Sequence, residues 1–288
     1  MPRTFKPQKS SQAVEFQQFF KPVQEAMIDM PKLESQGNRP LQMTFEDHLK
    51  ALVYFHLEEH HSAQHLLQVL KQDDFACNQI APEDGIKKSN FSEATNSRGL
   101  EQFFYVFENL QAQATQLLPK KHPELGTLIG IDGSLIDATL SMYWADYRKN
   151  SKKAKVHVGF DLNRAIPRKV FLTDGNGAER PFVSKIISDD QTGVTDRGYQ
   201  CHKRFDQWQD EDKKFICRIK ASTKKSIIEN KELTTDSIVF FDAIVLLGTA
   251  GVNQTKKPLR LVGYEVDKVK YWIATNRYDL SACLLYTS

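Results

Sequence analysis

The chain has 288 residues, 40% hydrophobic and 26% charged, enough for two or three globular domains of roughly 100–200 residues each. No apolar run approaches the roughly 20 residues that span a bilayer, and Met1-Pro-Arg-Thr-Phe-Lys6 lacks the apolar centre of a secretory signal, so a cytoplasmic protein with no membrane partner is expected. Cys77, Cys201, Cys217 and Cys283 never stand at C-x-x-C spacing, which argues against a zinc site or a disulfide framework, and a net charge of +3 leaves the partner open.

Residues 1–12 are polar and expected to be disordered. Over residues 14–30, Phe16, Phe19, Phe20, Val23, Ala26 and Met27 recur at helical spacing, with Pro22 expected to bend or interrupt the helix. A loop through Gly37 and Pro40 leads to Thr44-Phe-Glu-Asp47, a capping-box-like start with Asp in the place usually taken by Glu or Gln. It opens a long helical pattern to about Lys71, with Phe45, Leu49, Leu52, Val53, Leu57, Leu66, Leu67 and Leu70 on its apolar face. Pro82 and Gly85 mark a loop, and Leu100–Leu117 reads as a further helix. The first 120 residues thus read as all-helical.

The pattern changes near Gly126. Thr127-Leu-Ile-Gly-Ile-Asp132 suits a buried strand, Lys155-Val-His-Val-Gly-Phe-Asp161 alternates with period two, and Arg168-Lys-Val-Phe-Leu-Thr173 suits its hairpin partner across a turn with Asn163 and Pro167. Asp174-Gly-Asn-Gly177 signals a loop, residues 179–187 and 202–213 read as helices, and Phe215-Ile-Cys-Arg-Ile219 as a strand. Strand signals follow at 237–247, Leu259–Val266 and Val269–Thr275, as in a small sheet or an insertion.

Between residues 148 and 169 stand Arg148, Lys149, Lys152, Lys153, Lys155, Arg164, Arg168 and Lys169 against one acid, Asp161. Such a stretch fits a partner of clustered negative charge, and equally a solvated loop. Asp132, in Gly130-Ile-Asp-Gly-Ser134, and Asp196, in Val194-Thr-Asp-Arg-Gly-Tyr199, each follow an apolar segment and precede a turn-prone residue. Carboxylates at strand ends are rigidly held and can bind hard cations, as Mg²⁺ takes oxygen ligands. Two metals about 4 Å apart can serve phosphodiester cleavage. The residues alone equally permit a plain turn at Asp132-Gly133 and a loop acid at Asp196. Ser134 lacks a nucleophile elbow, and His56, His60, His61 and His65 lack the H-E-x-x-H order, so neither reads as a site. His157 points either toward the cleft or to the outer sheet face. Arg197, Lys203 and Arg204 beside Asp196 are surface charges or phosphate contacts.

Together these motifs resemble those of DDE-type transposases of bacterial insertion sequences, in the insertion-sequence-four family. Gly130-Ile-Asp-Gly-Ser-Leu-Ile136 resembles the first catalytic motif, and Lys155-Val-His157 with its hairpin and Asp174-Gly175 the segment after it. Asp196-Arg-Gly-Tyr199, Phe205, Trp208 and Phe215-Ile-Cys-Arg-Ile-Lys220 resemble the second motif. Tyr271-Trp-Ile-Ala-Thr-Asn276 resembles the strand leading to the third, and Lys88-Ser-Asn-Phe-Ser-Glu-Ala-Thr-Asn-Ser-Arg98 the helical segment upstream. The likeness covers residues 86–281.

The resemblance implies an α/β fold: an RNase H-like catalytic core with a β-rich insertion, preceded by an all-helical N-terminal region. The expected layout is a helical DNA-binding region at 1–122, the core at 123–220, the insertion and the strand toward the third motif at 221–280, and an aberrant tail at 281–288. Asp132 and Asp196 are implied as catalytic metal ligands for Mg²⁺, with Mn²⁺ as a substitute. Lys152, Lys153, Lys155, Arg197, Lys203 and Arg204 are implied as DNA contacts, and His157 as a cleft residue. The implied partners are transposon-end and target DNA and a second copy in a homodimeric synaptic complex, in the bacterial cytoplasm at the nucleoid. Hydrolysis at the element ends would free a 3′-hydroxyl that attacks target DNA.

In the family the third motif reads Tyr-x2-Arg-x3-Glu-x6-Lys. Here no glutamate follows Glu265, and neither Arg nor Lys follows Arg277. The expectation is a C-terminally truncated chain, inactive for want of the third carboxylate, with the strand near Ile273 partly exposed. The rival expectations are a non-catalytic DNA-binding truncated copy and an RNase H-like structure-selective nuclease.

Overall fold

The computed structural model describes residues 8–34, 41–82, 85–138, 144–148, 151–233 and 238–286; Gly37, Pro40, Lys149 and Ser237 lie outside them. The chain divides into two compact units, Met1–Gln116 and Leu117–Ser288. Among the described residues no helix is long and apolar enough to cross a membrane.

The first unit is built from α1 (Gln8–Ala26), α2 (Phe45–Leu57), α3 (Ala63–Gln72), α4 (Asp74–Gln79), α5 (Lys88–Ser97) and α6 (Leu100–Leu117). Residues 8–12 are helical, contrary to the polar reading of that stretch, and α1 runs through Pro22 without a break. The turn after Pro22 carries Ala26, which packs with Phe45 and Val106, so burial supports the helix past its missing donor. At the start of α2 the capping box is complete: Asp47 N donates to Thr44 Oγ1 and Thr44 N to Asp47 Oδ2, both at 3.1 Å. The pattern over 44–71 is two helices, not one. Glu59 adopts φ 50°, and Ser62 restarts the chain by accepting from His65 N at 3.1 Å. Leu66, Leu70, Ala51, Ile80 and Phe91 close the core of this unit.

The second unit is one mixed sheet under helices. Its strands are β1 (Thr127–Asp137), β2 (Asp146–Tyr147), β3 (Ser151–Asp161), β4 (Ile166–Asp174), β5 (Gln191–Thr195), β6 (Lys214–Arg218), β7 (Lys225–Asn230), β8 (Val239–Leu247), β9 (Leu259–Val266) and β10 (Val269–Thr275). They lie in the order β2-β3-β1-β5-β6-β10-β9-β8-β7, with β4 paired on β3. β1 is antiparallel to β3 and parallel to β5, and β5 is parallel to β6. The strands of 221–280 do not form a sheet of their own. β10 pairs with β6 through Ile273↔Arg218, Ala274↔Cys217 and Thr275↔Ile216, so β9, β8 and β7 extend the sheet that holds β1.

Strand alternation gives this sheet two apolar faces. On one, Ile129, Ile131, Phe215 and Cys217 pack with Val183 and Ile186 of α7 (Val183–Ile186) and with Phe205 and Trp208 of α8 (His202–Asp210). At Gly193 a Cβ would stand 2.2 Å from Ile187 Cδ1, so a larger residue in β5 would have to turn that side chain aside. On the other face Leu128, Ile216, Val262 and Ile273 pack with Leu125, Leu280 and Leu285. Ile273 is therefore buried, at 6% exposure, against the expectation that its strand stays partly open: Leu285 of α9 (Ala282–Tyr286), in the tail read as aberrant, helps to cover this face. Phe160, Leu162 and, at the start of β10, Val269 are exposed.

Arg260 of β9 and Asp242 of β8 form a buried pair, with Nε to Oδ1 at 2.9 Å and Nη2 to Oδ2 at 2.6 Å, and Arg260 also donates to Leu280 O. Breaking such a pair strands a charge in the core. Asp242→Ala is expected to destabilise the second unit by about 3–5 kcal/mol in a denaturant titration, whereas an apolar replacement of both partners should recover part of that loss.

Candidate active site

The parallel pairing of β1 and β5 ends at Ile131↔Thr195, so Asp132 and Asp196 are the next residues on adjacent strands. Neighbouring strands run about 4.8 Å apart. Each carboxylate is fixed by one backbone donor: Gly133 N to Asp132 Oδ1 at 2.8 Å, and Gly198 N to Asp196 Oδ1 at 2.7 Å. The second bond caps the short 3₁₀ turn Arg197–Tyr199. The other oxygen of each aspartate accepts no hydrogen bond among the described residues. Both line a groove of about 540 Å³, walled by Val158, Phe160, Val194, Ile216, Tyr264 and Ile273. Under Asp196, Cys217 donates its thiol to Asp196 O at 3.6 Å, and burial pushes that thiol up to about 12, so it stays protonated. Among the described residues no three His, Cys, Asp or Glu groups stand close enough to hold a metal ion.

Two further groups beside these strands have no signal in the sequence reading. Glu179 enters there only as the start of a helix, yet its side chain lies against Gly133, on the sheet face that carries His157. Tyr199 is fully buried, and burial, then Glu179, Asp132 and Asp196, push its hydroxyl well above the usual tyrosine value.

The candidate cations separate into two sets. Lys152 is paired with Asp146 at 2.5 Å, Lys153 with Asp137 at 2.5 Å, and Lys155 with Glu179 at 3.1 Å. Arg204 donates to Gln207 along α8 at 2.6 Å. Arg197 and Lys203 instead line a second groove of about 900 Å³ that begins at Asp196, together with Arg180, Lys220 and Lys256, which the sequence reading does not single out. The connection between β8 and β9 builds one wall by docking on α8. Asp206 accepts from Lys256 N at 2.9 Å and Lys257 N at 3.0 Å, and His202 Nδ1 bonds Asn253 O at 2.7 Å. Arg197, Lys203, Lys220 and Lys256 make no ion pair among the described residues, and with Arg180 they outnumber the two carboxylates of the groove, Asp196 and Asp206.

Fold and site thus define a mixed α/β protein with paired carboxylates beside a basic groove: Asp196 follows the end of β5, whereas Asp132, expected at a strand end, lies within β1, which runs on to Asp137. The chain belongs to the transposase DDE domain family, whose profile matches residues 125–276, from just before β1 to just after β10. It is similar to a probable transposase for insertion sequence element IS5377 of Geobacillus stearothermophilus, with 27% identity over 143 residues. That match covers 48% of this chain and 37% of the relative, so it reaches little more than a third of the relative's length.

His157 is not brought to the carboxylate cleft. It pairs with Gly133 while Val158 pairs with Asp132, and alternation turns it to the other face. There its ring stacks on Phe182 with centroids 4.0 Å apart and bonds Thr173 Oγ1 at 3.0 Å. Burial, then Lys155, lowers its pKa from the ordinary 6.5, with Glu179 opposing. A lowered histidine pKa means that, as pH falls below 6.5, the unfolded chain takes up a proton that the folded chain refuses. Stability of the second unit should therefore drop with acid below about 6.5, and His157→Asn should remove part of that drop in melting temperatures measured against pH.

Proposed function

We propose that this member of the transposase DDE domain family cleaves and joins DNA at insertion-sequence ends, with Asp132 and Asp196 holding a divalent cation, Mg²⁺ or Mn²⁺ in its place. The observation that carries this reading is the register Ile131↔Thr195, which puts two carboxylates side by side on a rigid sheet. Antiparallel β4, β3 and β1, followed by β5 and β6 parallel to β1, support an RNase H-like core. The donor chemistry fits: both groups are carboxylates, each locked through one oxygen and offering the other, and Mg²⁺ is usually held by one or two carboxylates plus substrate phosphate. A cation bound there lowers the pKa of a water and neutralises charge on the phosphodiester.

The remaining roles belong to the chain's own side chains. Arg197, Lys203, Lys220 and Lys256 contact backbone phosphates and set the path of DNA past Asp196 without reading bases. Lys152, Lys153 and Lys155 contribute less, because DNA must first displace a carboxylate from each. The apolar groove beside the aspartates suits the helix that carries the family's third motif. We assign the helical region 1–122 to end recognition, 123–220 to the core, and two copies to a synaptic complex with end and target DNA at the bacterial nucleoid. The motif resemblance favours the insertion-sequence-four type.

Two measurements test this reading. In fluorescence anisotropy with duplex DNA, glutamine at positions 197, 203, 220 and 256 should flatten the log–log salt dependence by about 0.9 for every phosphate no longer neutralised. Lys152→Gln with Lys153→Gln should change it less, and the reverse ranking would reject the groove as the DNA path. No glutamate follows Glu265 within residues 1–288, so this stretch alone should bind DNA bearing the ends that flank its own gene without nicking it in Mg²⁺ or Mn²⁺. Nicking by this stretch would reject the need for a third carboxylate, and in a chain extended by the family's third motif, cleavage that persists in Asp132→Asn would sink the carboxylate assignment.

A further inference from the structure

The row that holds the two aspartates continues onto β6. Parallel pairing of β5 with β6 ends at Thr195↔Cys217, so the next residues are Asp196 and Arg218, just as Asp132 and Asp196 follow Ile131↔Thr195. Arg218 lines the same groove as both carboxylates, and it is the one cation among the described residues that do so. Strand β10 decides where its side chain lies. Arg218 pairs with Ile273, and Tyr271, two residues earlier on β10, shares the face of Ile273. The guanidinium carbon of Arg218 sits over the Tyr271 ring, 4.6 Å from its centre. Tyr264, opposite Tyr271 on β9, stacks on that ring with centroids 5.3 Å apart. Among the described residues the guanidinium makes no ion pair and no hydrogen bond, although Asp196 is its neighbour across the strands. A stacked guanidinium spends its flat face on the ring and keeps its in-plane N–H donors for another acceptor.

We propose that Arg218 takes the phosphate of the DNA strand lying over Asp132 and Asp196, and that Tyr271 is the positioning residue that holds Arg218 in place. The inference rests on the reading of this groove as the site of DNA cleavage. The chemistry selects a phosphate, because the planar fork of a guanidinium matches two phosphate oxygens. Position selects the phosphate at the aspartates: Arg218 stands one strand from Asp196, and adjacent strands run about 4.8 Å apart. Arg197, Lys203, Lys220 and Lys256 line the larger groove that leads away from Asp196, so they meet other phosphates. Tyr271 keeps the guanidinium off the Asp196 carboxylate, which leaves the carboxylate for the cation and the fork for the DNA.

The test is fluorescence anisotropy of the 288-residue chain in Mn²⁺ with duplexes that span the junction between the element end and its flanking DNA. One duplex is unmodified, and each of the others carries a single uncharged methylphosphonate at one phosphate around the junction. Arg218→Gln should weaken binding of the unmodified duplex about tenfold, the loss of a charge-assisted contact. It should cost nothing further on the one duplex whose methylphosphonate removes its partner, whereas Lys203→Gln should lose as much there as on unmodified DNA. Arg218→Lys should recover only part, because an ammonium has no fork. Tyr271→Leu should reproduce part of the loss, Tyr271→Phe should bind like the unaltered chain, and Tyr271→Leu should add nothing to Arg218→Gln. If Arg218→Gln loses the same factor on every duplex, or nothing on any, the Arg218 inference falls while the DNA reading stands. If Tyr271→Leu still weakens binding in the Arg218→Gln chain, Tyr271 does not act through Arg218. If the unaltered chain does not prefer the junction duplex over unrelated DNA, the proposed function falls as well.

Discussion

Parallel pairing of β1 with β5 governs what the rest of the second unit can do. With Ile131 opposite Thr195, the next residue on each strand is an aspartate, and both carboxylates border one groove. A slip of one residue on β1 would turn Asp132 to the opposite face, into the layer formed by α7 and α8, where a carboxylate would meet Ile186, Phe205 and Trp208. That register is guarded by close packing. At Gly159 a Cβ would stand 2.3 Å from Ile186, and at Gly193 2.2 Å from Ile187. Gly159 thus gives Ile186 of α7 its close seat on the sheet, and Gly193 leaves room for Ile187, the residue after it.

The far end of the same strands is held by polar bonds. Thr275 Oγ1 donates to Phe215 O at 2.5 Å, Asn276 accepts from Phe215 N and donates to Lys213 O, and Arg277 donates to Thr192 Oγ1 at 2.5 Å. β10 thereby fastens the starts of β5 and β6, at the end away from Asp196. Its insertion beside β6 makes the distal strands part of the carboxylates' own support. The β8–β9 connection extends that support to the basic groove, since Asp206 of α8 orders the backbone that presents Lys256.

The aspartates were legible because their signal is local: an apolar run, a carboxylate, then a glycine or an arginine-glycine turn. The capping box at Thr44 and the strands read at Lys155–Asp161 and Arg168–Thr173 were legible for the same reason, although β3 begins earlier, at Ser151, and β4 takes in Pro167, which was read as part of the turn. Tertiary pairings were not. Arg180, Lys220 and Lys256 come from separate segments and acquire meaning only when the chain folds over α8. The basic run looked free because Asp137 and Asp146, which pair with Lys153 and Lys152, sit on other strands. For His157 the alternation gave two faces without saying which carries the aspartates. The distal strands were readable singly, but not their membership in the main sheet, because β10 enters beside β6 out of sequence order.

Anomalous diffraction from crystals of this chain soaked in Mn²⁺ tests the central claim most directly. The account predicts a peak bridging Asp132 and Asp196, with metal–oxygen distances of about 2.0–2.6 Å, the range for hard cations on carboxylates. The two carboxylates on opposite faces of the sheet, or a peak held elsewhere while both stay free of metal, would contradict it.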